Sequence, residues 1–440
     1  QAIYEWSEDE AGSTPQKSFE DLLATLTPAP TRRVLRHLHR TQDPALRQLL
    51  LGAREFVLSS QESTRCATLR TVLTSRAPGE PILASAVAEI LDPLGQSPND
   101  LLVLVRRRAE ALEVSARLTE KGVAHRLRFG SLPRVAAPWI ASVLNRACEA
   151  VGGATVARAD FESAWRSLEA ENPWLVSGWS LEYAWRLLRR MAPGGSKSSI
   201  HLPLVAERLA GAGAPDDVSS REVGSQGLIL GTIHGSKGRE APDVLFLLTS
   251  TEGEDVSEAR VLYVALSRAK AALEVGVVRP ARWSGLRAPG RHWRSTDGGH
   301  LQVEIGRAGD LDASRSVKVA GEHLAQQQAT LSGFIGTPRA VLVETSEARQ
   351  WIRCVVENAG AVPLAALSTS CEEDLRQISK ANGLNRTPTR VKHLRWFDVT
   401  SVGLSADAAM KLDLPEPWNT SRLLLAPVVL GPGLIYGATK

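Results

Sequence analysis

Cysteine is scarce in this chain of 440 residues. The four cysteines, Cys66, Cys148, Cys354 and Cys371, lie far apart, and no two have the C-x-x-C spacing. Structural zinc sites use closely spaced thiolates, and disulfide-stapled domains need a denser set. The sequence therefore indicates neither a zinc site nor a disulfide framework. It fits a reducing compartment, so we expect a cytoplasmic protein.

Long hydrophobic runs are also lacking. No apolar stretch reaches the roughly 18 residues that a membrane-spanning helix needs. Residues 1–6 are followed by acids, not by the basic and apolar regions of a secretory signal. We therefore expect no membrane partner. Because the chain does not begin with Met, we expect a fragment or a processed product.

Charge gives only a weak indication of function. The net charge is +4 and the isoelectric point about 8.9, with 43% hydrophobic and 23% charged residues. This composition is ordinary for a globular protein, and its mildly basic balance is compatible with nucleic acid without arguing for it. The length predicts two to four domains.

The order of apolar segments predicts an α/β fold. Residues 101–105 form a continuous apolar run, typical of a strand buried on both faces of a parallel sheet. An amphipathic helix is predicted over 108–121, and further strands over 228–230 and 244–248. Near the end of this region we predict a helix over 259–271, followed by a strand over 273–278.

Two other regions differ in character. Residues 131–215 combine clustered tryptophans with helical patterns, which predicts a helical insertion. Residues 281–300 are rich in Arg, Gly and Trp and are interpreted as a linker. Residues 301–440 show short alternating segments with many turn residues, which predicts a separate β-rich domain of unassigned role.

The strongest motif, T-x-H-x-S-K-G-x-E, starts at Thr232 and is followed by apolar residues. A predicted strand ends here in a glycine-containing loop that holds a hydroxyl, an imidazole, a lysine and a carboxylate. Loops after parallel strands are where α/β sheets bind ligands, and glycines let backbone approach a phosphate. A charged surface loop is the alternative interpretation.

This pattern resembles motif V of the UvrD/Rep family of superfamily-one DNA helicases. Six specified residues would match by chance about once in a hundred thousand such chains. The resemblance implies that Glu240 binds the nucleotide ribose, with Lys237 and Gly238 also on the nucleotide side. It implies that Thr232, His234 and Ser236 contribute to DNA binding.

A second stretch, E-x-R-V-L-Y-V-A-L-S-R-A-K from Glu258, resembles motif VI of the same family. The resemblance implies that Arg268 reaches the γ-phosphate of ATP. A planar guanidinium suits this role because it can bind several phosphate oxygens at once. Without the resemblance, the stretch would be interpreted as a solvated amphipathic helix.

The first six residues resemble the end of motif III. The resemblance makes Gln1 a γ-phosphate sensor and makes Tyr4 and Trp6 candidates for stacking on DNA bases. Core packing of these two aromatics is the alternative. Ser7 and Glu8 stand where the family has Arg-Gly, so the resemblance does not imply that arginine's phosphate or DNA contact here.

Two shorter elements extend the resemblance. Residues 38–41 resemble N-Y-R-[ST], which implies that Arg40 is a second γ-phosphate ligand and that His39 stands where the family stacks a tyrosine on adenine. Residues 100–106 resemble I-A-V-L-x-R, which implies that Arg106 binds the DNA backbone; a buried strand with a basic end is the alternative. We expect Arg268 and Arg40 to converge on one exposed cleft near Glu240.

The phosphate-binding signature is missing. No G-x-x-x-x-G-K-[ST] occurs, and no D-E-x-[DQE] follows a predicted strand. In the family both precede motif III, so we expect truncation within motif III. ATP with Mg²⁺ is the implied cofactor, and the Mg²⁺ ligands are expected in a missing N-terminal half, in the same or another chain.

These observations lead to one domain plan. Residues 1–45 would be the tail of a first RecA-like domain, and residues 46–130 with 216–280 would form a second. Residues 131–215 would be inserted in the second domain, followed by the linker 281–300 and the β-rich domain 301–440.

The function implied is that of the C-terminal part of a 3′-to-5′ DNA helicase that acts on single-stranded or partly duplex DNA. The alternatives are a non-catalytic nucleic-acid-binding or regulatory module, and a subunit of a helicase–nuclease complex.

We predict that the purified chain alone hydrolyses no appreciable ATP, with or without DNA, because its sequence has nothing to cradle the phosphates or hold Mg²⁺. A phosphate-release assay measures this directly. DNA-stimulated turnover that is abolished by Arg268→Ala would contradict the prediction.

Overall fold

The computed structural model describes two compact units of the chain. The first falls within Gln1–Gly130 and Gln226–Ala281, and the second within Ser131–Ser225 and Arg282–Lys440. The residues described are 21, 24, 25, 41–58, 63–75, 100–193, 198–210, 214–249, 256–278, 283–285, 290–296, 298–345, 352–356, 362–384 and 388–435.

The described helices, in chain order, are α1 (Pro44–Leu58), α2 (Ser63–Thr74), α3 (Arg108–Glu120), α4 (Trp139–Val151), α5 (Arg158–Glu171), α6 (Pro173–Val176), α7 (Leu181–Met191), α8 (Leu202–Ala210), α9 (Val256–Leu266), α10 (Ala313–Ala320), α11 (Leu324–Ser332), α12 (Thr369–Ala381), α13 (Ala406–Leu412) and α14 (Trp418–Ser421). Over the same residues, no helix is both long enough and apolar enough to cross a bilayer.

The described strands are β1 (Leu101–Val105), β2 (His125–Arg128), β3 (Val135–Ala136), β4 (Thr155–Ala157), β5 (Ser199–His201), β6 (Ser219–Ser220), β7 (Leu228–Thr232), β8 (Ala241–Thr249), β9 (Ala269–Val278), β10 (Ser284–Gly285), β11 (His292–Ser295), β12 (Leu301–Ile305), β13 (Leu311–Asp312), β14 (Arg339–Thr345), β15 (Ile352–Val356), β16 (Pro363–Leu367), β17 (Arg390–Gly403) and β18 (Leu423–Ile435).

The first unit is built on a parallel five-stranded sheet in the order β2-β7-β1-β8-β9. Strand β1 occupies the middle, and Leu102, Leu104 and Phe246 belong to a core shared with helices α1, α2 and α9. A strand covered on both faces must be apolar throughout, which explains the uninterrupted run in β1. The predicted parallel α/β sheet is therefore confirmed.

The region after β8 differs from its predicted boundaries. The helix predicted over 259–271 is α9, which ends at Leu266, and β9 begins at Ala269 instead of at residue 273. Ala269 pairs with Ala241 of β8. The backbone N–H and C=O groups at the start of β9 are satisfied by pairing with β8, so they do not continue the helix as the sequence pattern predicted.

The second unit contains an antiparallel nine-stranded sheet in the order β10-β11-β12-β18-β17-β14-β15-β16-β13. The predicted β-rich region is confirmed as a sheet separate from the parallel one. The linker predicted over 281–300 is wrong in part, because β10 and β11 lie within it and extend the same sheet by pairing beside β12. Strands β17 and β18 are long, and their register runs from Val391 opposite Ile435 to Gly403 opposite Leu423, interrupted by two irregularities.

Residues 131–225 pack on this sheet, which differs from the predicted domain plan. Trp139, Phe161 and Trp165 share one core with Phe334 and Trp396. The predicted helical insertion and β-rich domain therefore form one unit. The physical reason is that the Trp-bearing helix faces need a large apolar partner, and the sheet supplies it.

Close backbone contacts fix the helices of residues 131–225 to the sheet. The Thr400 hydroxyl accepts a hydrogen bond from the Ala136 amide at 2.8 Å, and the Ser401 hydroxyl accepts one from the Ala141 amide at 3.0 Å. At Gly403 a side-chain carbon would lie 1.9 Å from the carbonyl oxygen of Ala206 in α8. Only glycine lets this helix and strand approach so closely.

A buried ion network joins three parts of the second unit. The Arg291 guanidinium, 2% exposed, donates to Asp310 at 2.6 Å and to Asp374 of α12 at 2.8 Å. It also donates to the carbonyl oxygen of Glu304, at the end of β12. Burial works against the charge of Arg291, but the hydrogen bonds and charge of Asp310 raise its pKa above the ordinary value. Arg291 is thus held as a permanent cation between two carboxylates.

We predict that Arg291→Met lowers the free energy of unfolding of the second unit by about 3–5 kcal/mol, because two buried carboxylates lose their cation. Urea denaturation followed by tryptophan fluorescence measures this change, since all tryptophans except Trp6 fall in this unit. Arg376→Met, which breaks an exposed pair with Glu373 on α12, is the control and should cost less than about 1 kcal/mol. Equal effects of the two changes would contradict the prediction.

Candidate nucleotide and nucleic-acid site

Two neighbouring strands of the parallel sheet end at the same edge. Val105, the last residue of β1, pairs with Thr232, the last residue of β7. The residues that follow, Arg106 and the loop from Ile233, therefore start side by side at the carboxyl edge of the sheet. This is the edge at which α/β sheets bind ligands.

Arg106, Glu258 and His234 form a cluster at this edge. Nε of Arg106 donates to Glu258 at 3.2 Å and its Nη2 donates to the second carboxylate oxygen at 3.1 Å, so the pairing is bidentate. Nη1 of Arg106 lies 3.4 Å from Nδ1 of His234. Glu258 comes from the first turn of α9 and has only 9% of its side chain exposed, against 26% for Arg106.

The cluster changes the protonation of His234. Although much of this residue is exposed, partial burial and the positive charge of Arg106 lower the pKa of the imidazole, and Glu258 acts in the opposite sense. The lowered pKa favours the neutral ring at neutral pH. A neutral imidazole can donate a hydrogen bond through one nitrogen and accept one through the other.

The loop after β7 is shaped by its own hydroxyl groups. The Thr232 hydroxyl accepts a hydrogen bond from the Gly235 amide at 3.1 Å, and the Ser236 hydroxyl donates to the carbonyl oxygen of Ile233 at 2.7 Å. At Gly235 a side-chain carbon would lie 2.7 Å from the carbonyl oxygen of Arg128, so glycine is needed for this approach.

Exposure separates the predicted residues of this loop into two groups. Thr232 is 5% exposed and Ser236 is fully buried, so both side chains hold the loop and do not face solvent. They were expected to contribute to DNA binding, and this stays a prediction. His234, Lys237 and Gly238 are exposed on the same loop.

Glu240 and Arg268 lie at the other edge of the sheet. Glu240 immediately precedes β8, Arg268 immediately precedes β9, and the Ala241 amide donates to the carbonyl oxygen of Arg268 at 3.0 Å. Because Leu101 pairs with Asp243, the backbone of Glu240 is roughly 25 Å along the strands from that of Arg106. The described site residues thus form two groups. The carboxyl-edge group consists of Arg106, His234, Lys237 and Glu258, and the amino-edge group of Gly238, Glu240 and Arg268.

The side chain of Arg268 is buried instead of projecting into an exposed cleft. It is 7% exposed, and its Nε donates to the carbonyl oxygen of Val264 at 2.9 Å. Its two terminal nitrogens donate to the carbonyl oxygen of Arg239 at 3.1 Å and to the Ser267 hydroxyl at 2.8 Å. The turn between α9 and β9 directs the guanidinium inward, where it holds the end of the loop that begins at Ile233.

The carboxylate of Glu240 pairs with the ammonium group of Lys270 on β9 at 3.4 Å. Both side chains are partly exposed, at 28% and 50% respectively. The pair therefore lies at the surface beside the buried Arg268. The expected approach of Arg40 to Arg268 falls outside the described residues, as do the other predicted site residues Gln1, Tyr4, Trp6 and His39.

The sequence interpretation did not assign a site role to Glu258. It is the first residue of the second motif, and the structure shows it as the counter-ion of Arg106. The signal that could have identified it is an acidic residue in the first turn of a helix that follows a buried strand. Such a residue lies at the carboxyl edge of the sheet, where its charge also suits the helix N-terminus.

Comparison with known families identifies the segment that carries the described site residues other than Arg106. Residues 227–275 match the family model of the UvrD-like helicase C-terminal domain. The match includes β7, the loop, β8, α9 and most of β9, which is about a ninth of the chain. No curated protein matches the chain. This segment is therefore similar to a UvrD-like helicase C-terminal region.

We predict opposite shifts of the His234 pKa in two variants. Arg106→Gln removes a positive charge and should raise the pKa towards its ordinary value, whereas Glu258→Gln removes a negative charge and should lower it further. NMR titration of the imidazole resonances measures both shifts. His125, whose pKa is lowered by burial, provides the control and should not respond. Shifts of the same sign in both variants would show that Arg106 and Glu258 do not set this pKa.

Proposed function

We propose that the chain is the C-terminal part of an ATP-dependent DNA helicase. In the complete motor it would couple ATP hydrolysis to 3′-to-5′ movement along single-stranded DNA and to unwinding of duplex DNA. The observation that carries the proposal is the match over residues 227–275, since this segment contains His234, Glu240 and Arg268 and lies beside Arg106 at the sheet edge.

The carboxyl-edge group is proposed to bind the DNA strand. Lys237, which the resemblance places on the nucleotide side, is exposed on the same loop as His234, and we propose instead that its positive charge serves the DNA phosphates. The His234 imidazole can hydrogen-bond to the same backbone. Arg106 is oriented by its bidentate pairing with Glu258. An arginine held this way keeps its direction without losing further side-chain entropy when DNA arrives.

The amino-edge group is proposed to act on the nucleotide. By exposure and chemistry, Glu240 suits the hydroxyl groups of a ribose, and Gly238 leaves the adjacent backbone open. Arg268 does not fit a phosphate in the conformation described, because its guanidinium is buried and bonded to the chain. It would act only after release from the Arg239 carbonyl and the Ser267 hydroxyl. ATP would bring Mg²⁺, whose ligands we assign to the N-terminal half.

A non-catalytic nucleic-acid-binding module is the second candidate, and one observation favours it. The internal bonds of Arg268 give this residue a structural function that needs no ATP. A helicase–nuclease subunit has less support. Among the residues that the structure describes, no group of three or more His, Cys, Asp or Glu could hold a metal ion, and Asp310 is bound by Arg291.

We predict that the chain binds single-stranded DNA and that Lys237→Ala weakens this binding. Loss of one phosphate contact should reduce the slope of log K against log salt by about 0.7. Fluorescence anisotropy with a labelled oligothymidylate across a salt series measures the slope. Lys411→Ala removes an exposed lysine of α13 and serves as the charge-matched control. Equal slopes for the two variants would remove Lys237 from the DNA site.

We predict that Arg268→Lys separates the two candidate functions. In a motor reconstituted with the phosphate-binding half, the variant should lose about a thousandfold in ATP turnover, because lysine lacks the guanidinium fork. DNA binding without nucleotide should persist. Circular dichroism would establish that the variant is folded. Near-normal turnover by the folded variant would exclude Arg268 from the nucleotide site. Absence of turnover in the reconstituted motor with the unchanged chain would favour the non-catalytic module.

A further inference from the structure

The second unit contains a cavity that the proposed function does not use. Its volume is about 330 Å³, at the lower end of the range for small-molecule sites. It is lined by Val135, Ala137, Pro138, Trp174, Leu175, Ser177, Trp179, Asp217, Val218, Ser219, Ser220, Glu222, Gly224, Ser225 and Asp398. All these residues belong to one unit, so the cavity is a property of that unit alone.

Two tryptophans form aromatic walls of the cavity, and both are held in place. The Trp174 ring packs edge-on against Phe334, with ring centres 5.3 Å apart. The Trp179 ring packs against the buried Trp139 with a separation of 5.5 Å. Both wall residues remain partly exposed. Fixed aromatic surfaces that are partly open to solvent suit a ligand that binds to ring faces.

A buried carboxylate lies in the same cavity wall. Asp398 is 8% exposed and accepts hydrogen bonds from the amides of Gly224 at 2.9 Å and Val399 at 2.8 Å. Within the described part of the chain, no Lys, Arg or His forms an ion pair with it. Burial, which outweighs the two amide hydrogen bonds, raises its pKa to about 6. At neutral pH Asp398 therefore carries a desolvated negative charge that no ion pair among the described residues neutralises.

The remaining charged groups of the lining are also acidic. Glu222 is partly buried, whereas Asp217 lies at the surface and pairs with Arg190 at 3.1 Å. No lysine, arginine or histidine is among the lining residues. The cavity therefore repels phosphates and carboxylates and attracts cations.

We propose that this cavity binds an organic cation of the guanidinium or alkylammonium type. The Trp174 and Trp179 rings would take the cation by cation–π contact. Asp398 would accept a charge-assisted hydrogen bond from an N–H group of the cation. The aromatic walls favour an organic cation over a simple metal ion. The inference is independent of the proposed helicase function, since an acidic cavity disfavours DNA and nucleotides.

The cation could come from two sources with the same chemistry. A free small molecule would lie entirely inside the cavity. An arginine side chain of a partner protein would enter the cavity while its peptide backbone stays outside. The volume accommodates one such group and excludes a folded element.

The test is calorimetric titration of the full chain with arginine amide. Both probes are acetylated on the α-amine, so that the guanidinium is the single charge that distinguishes them. We expect one bound equivalent of arginine amide and no binding of citrulline amide, which then has a similar shape without a charge. Asp398→Asn should weaken binding by about tenfold or more, because it removes the buried charge. Asp407→Asn, at an exposed acid of α13 outside the cavity, is the matched control and should leave binding unchanged.

A second variant keeps the test decisive if Asp398→Asn does not fold. Glu222→Gln changes a partly exposed lining residue and should weaken binding a few-fold in a folded protein. A short arginine-containing peptide with blocked ends distinguishes the sources: tighter binding of the peptide supports a partner's side chain, and tighter binding of arginine amide supports a free ligand. Equal binding of citrulline amide, or no binding of any cation, would overturn the proposal.

Discussion

The contact between helix α4 and strands β17 and β18 is the constraint on which the second unit depends. Trp139 and Ile140 of this helix are completely buried, and Asn145 donates to the carbonyl oxygen of Leu423 at 3.1 Å. Burying apolar surface stabilises a fold by roughly 25 cal/mol for each Å² removed from water. The apolar faces of these helices therefore need a partner that covers them. The helices of residues 131–225 therefore cannot form a stable body without the sheet. The aromatic walls of the acidic cavity depend on the same packing.

In the first unit, one loop connects the two edges of the parallel sheet. It starts at the carboxyl edge beside Arg106 and ends at the amino edge, where Arg268 holds the carbonyl oxygen of Arg239. Arg128 of β2 holds the same loop in its middle, by donating to the Gly235 carbonyl at 3.0 Å. A displacement of Arg268 would thus remove one of the attachments that position His234. The two groups of site residues are physically joined although they are far apart.

The sequence predicted those features that local pattern determines. The bounds of β1 followed from five consecutive apolar residues, and α3 was predicted to within one residue at its end. The motif after β7 was placed correctly on a loop at a strand end. Periodicity failed where tertiary pairing decides, as at the end of α9. Residues 269–271 fit a helix pattern but belong to β9, whose first residue pairs with Ala241 of β8.

Long-range relations were harder to predict. Nothing local in residues 131–215 shows that their apolar faces belong to a sheet formed more than a hundred residues later. The burial of the Arg268 side chain could not be predicted either. A motif specifies the type of residue but not whether the local turn directs its side chain into the protein. Glu258 was visible as a motif residue, but its pairing with Arg106 depends on two separate segments meeting at one edge.

The position of β18 has a consequence for how the chain is made. This strand lies inside the nine-stranded sheet, between β12 and β17, yet it comes last among the described strands. During synthesis the helices of residues 139–210 leave the ribosome more than two hundred residues before the strand that completes their sheet. Until then their tryptophan-bearing faces have no finished partner, which exposes the nascent chain to aggregation. A stop codon near residue 420 would remove an interior strand and leave two new sheet edges, so the unit would be lost as a whole and not merely shortened.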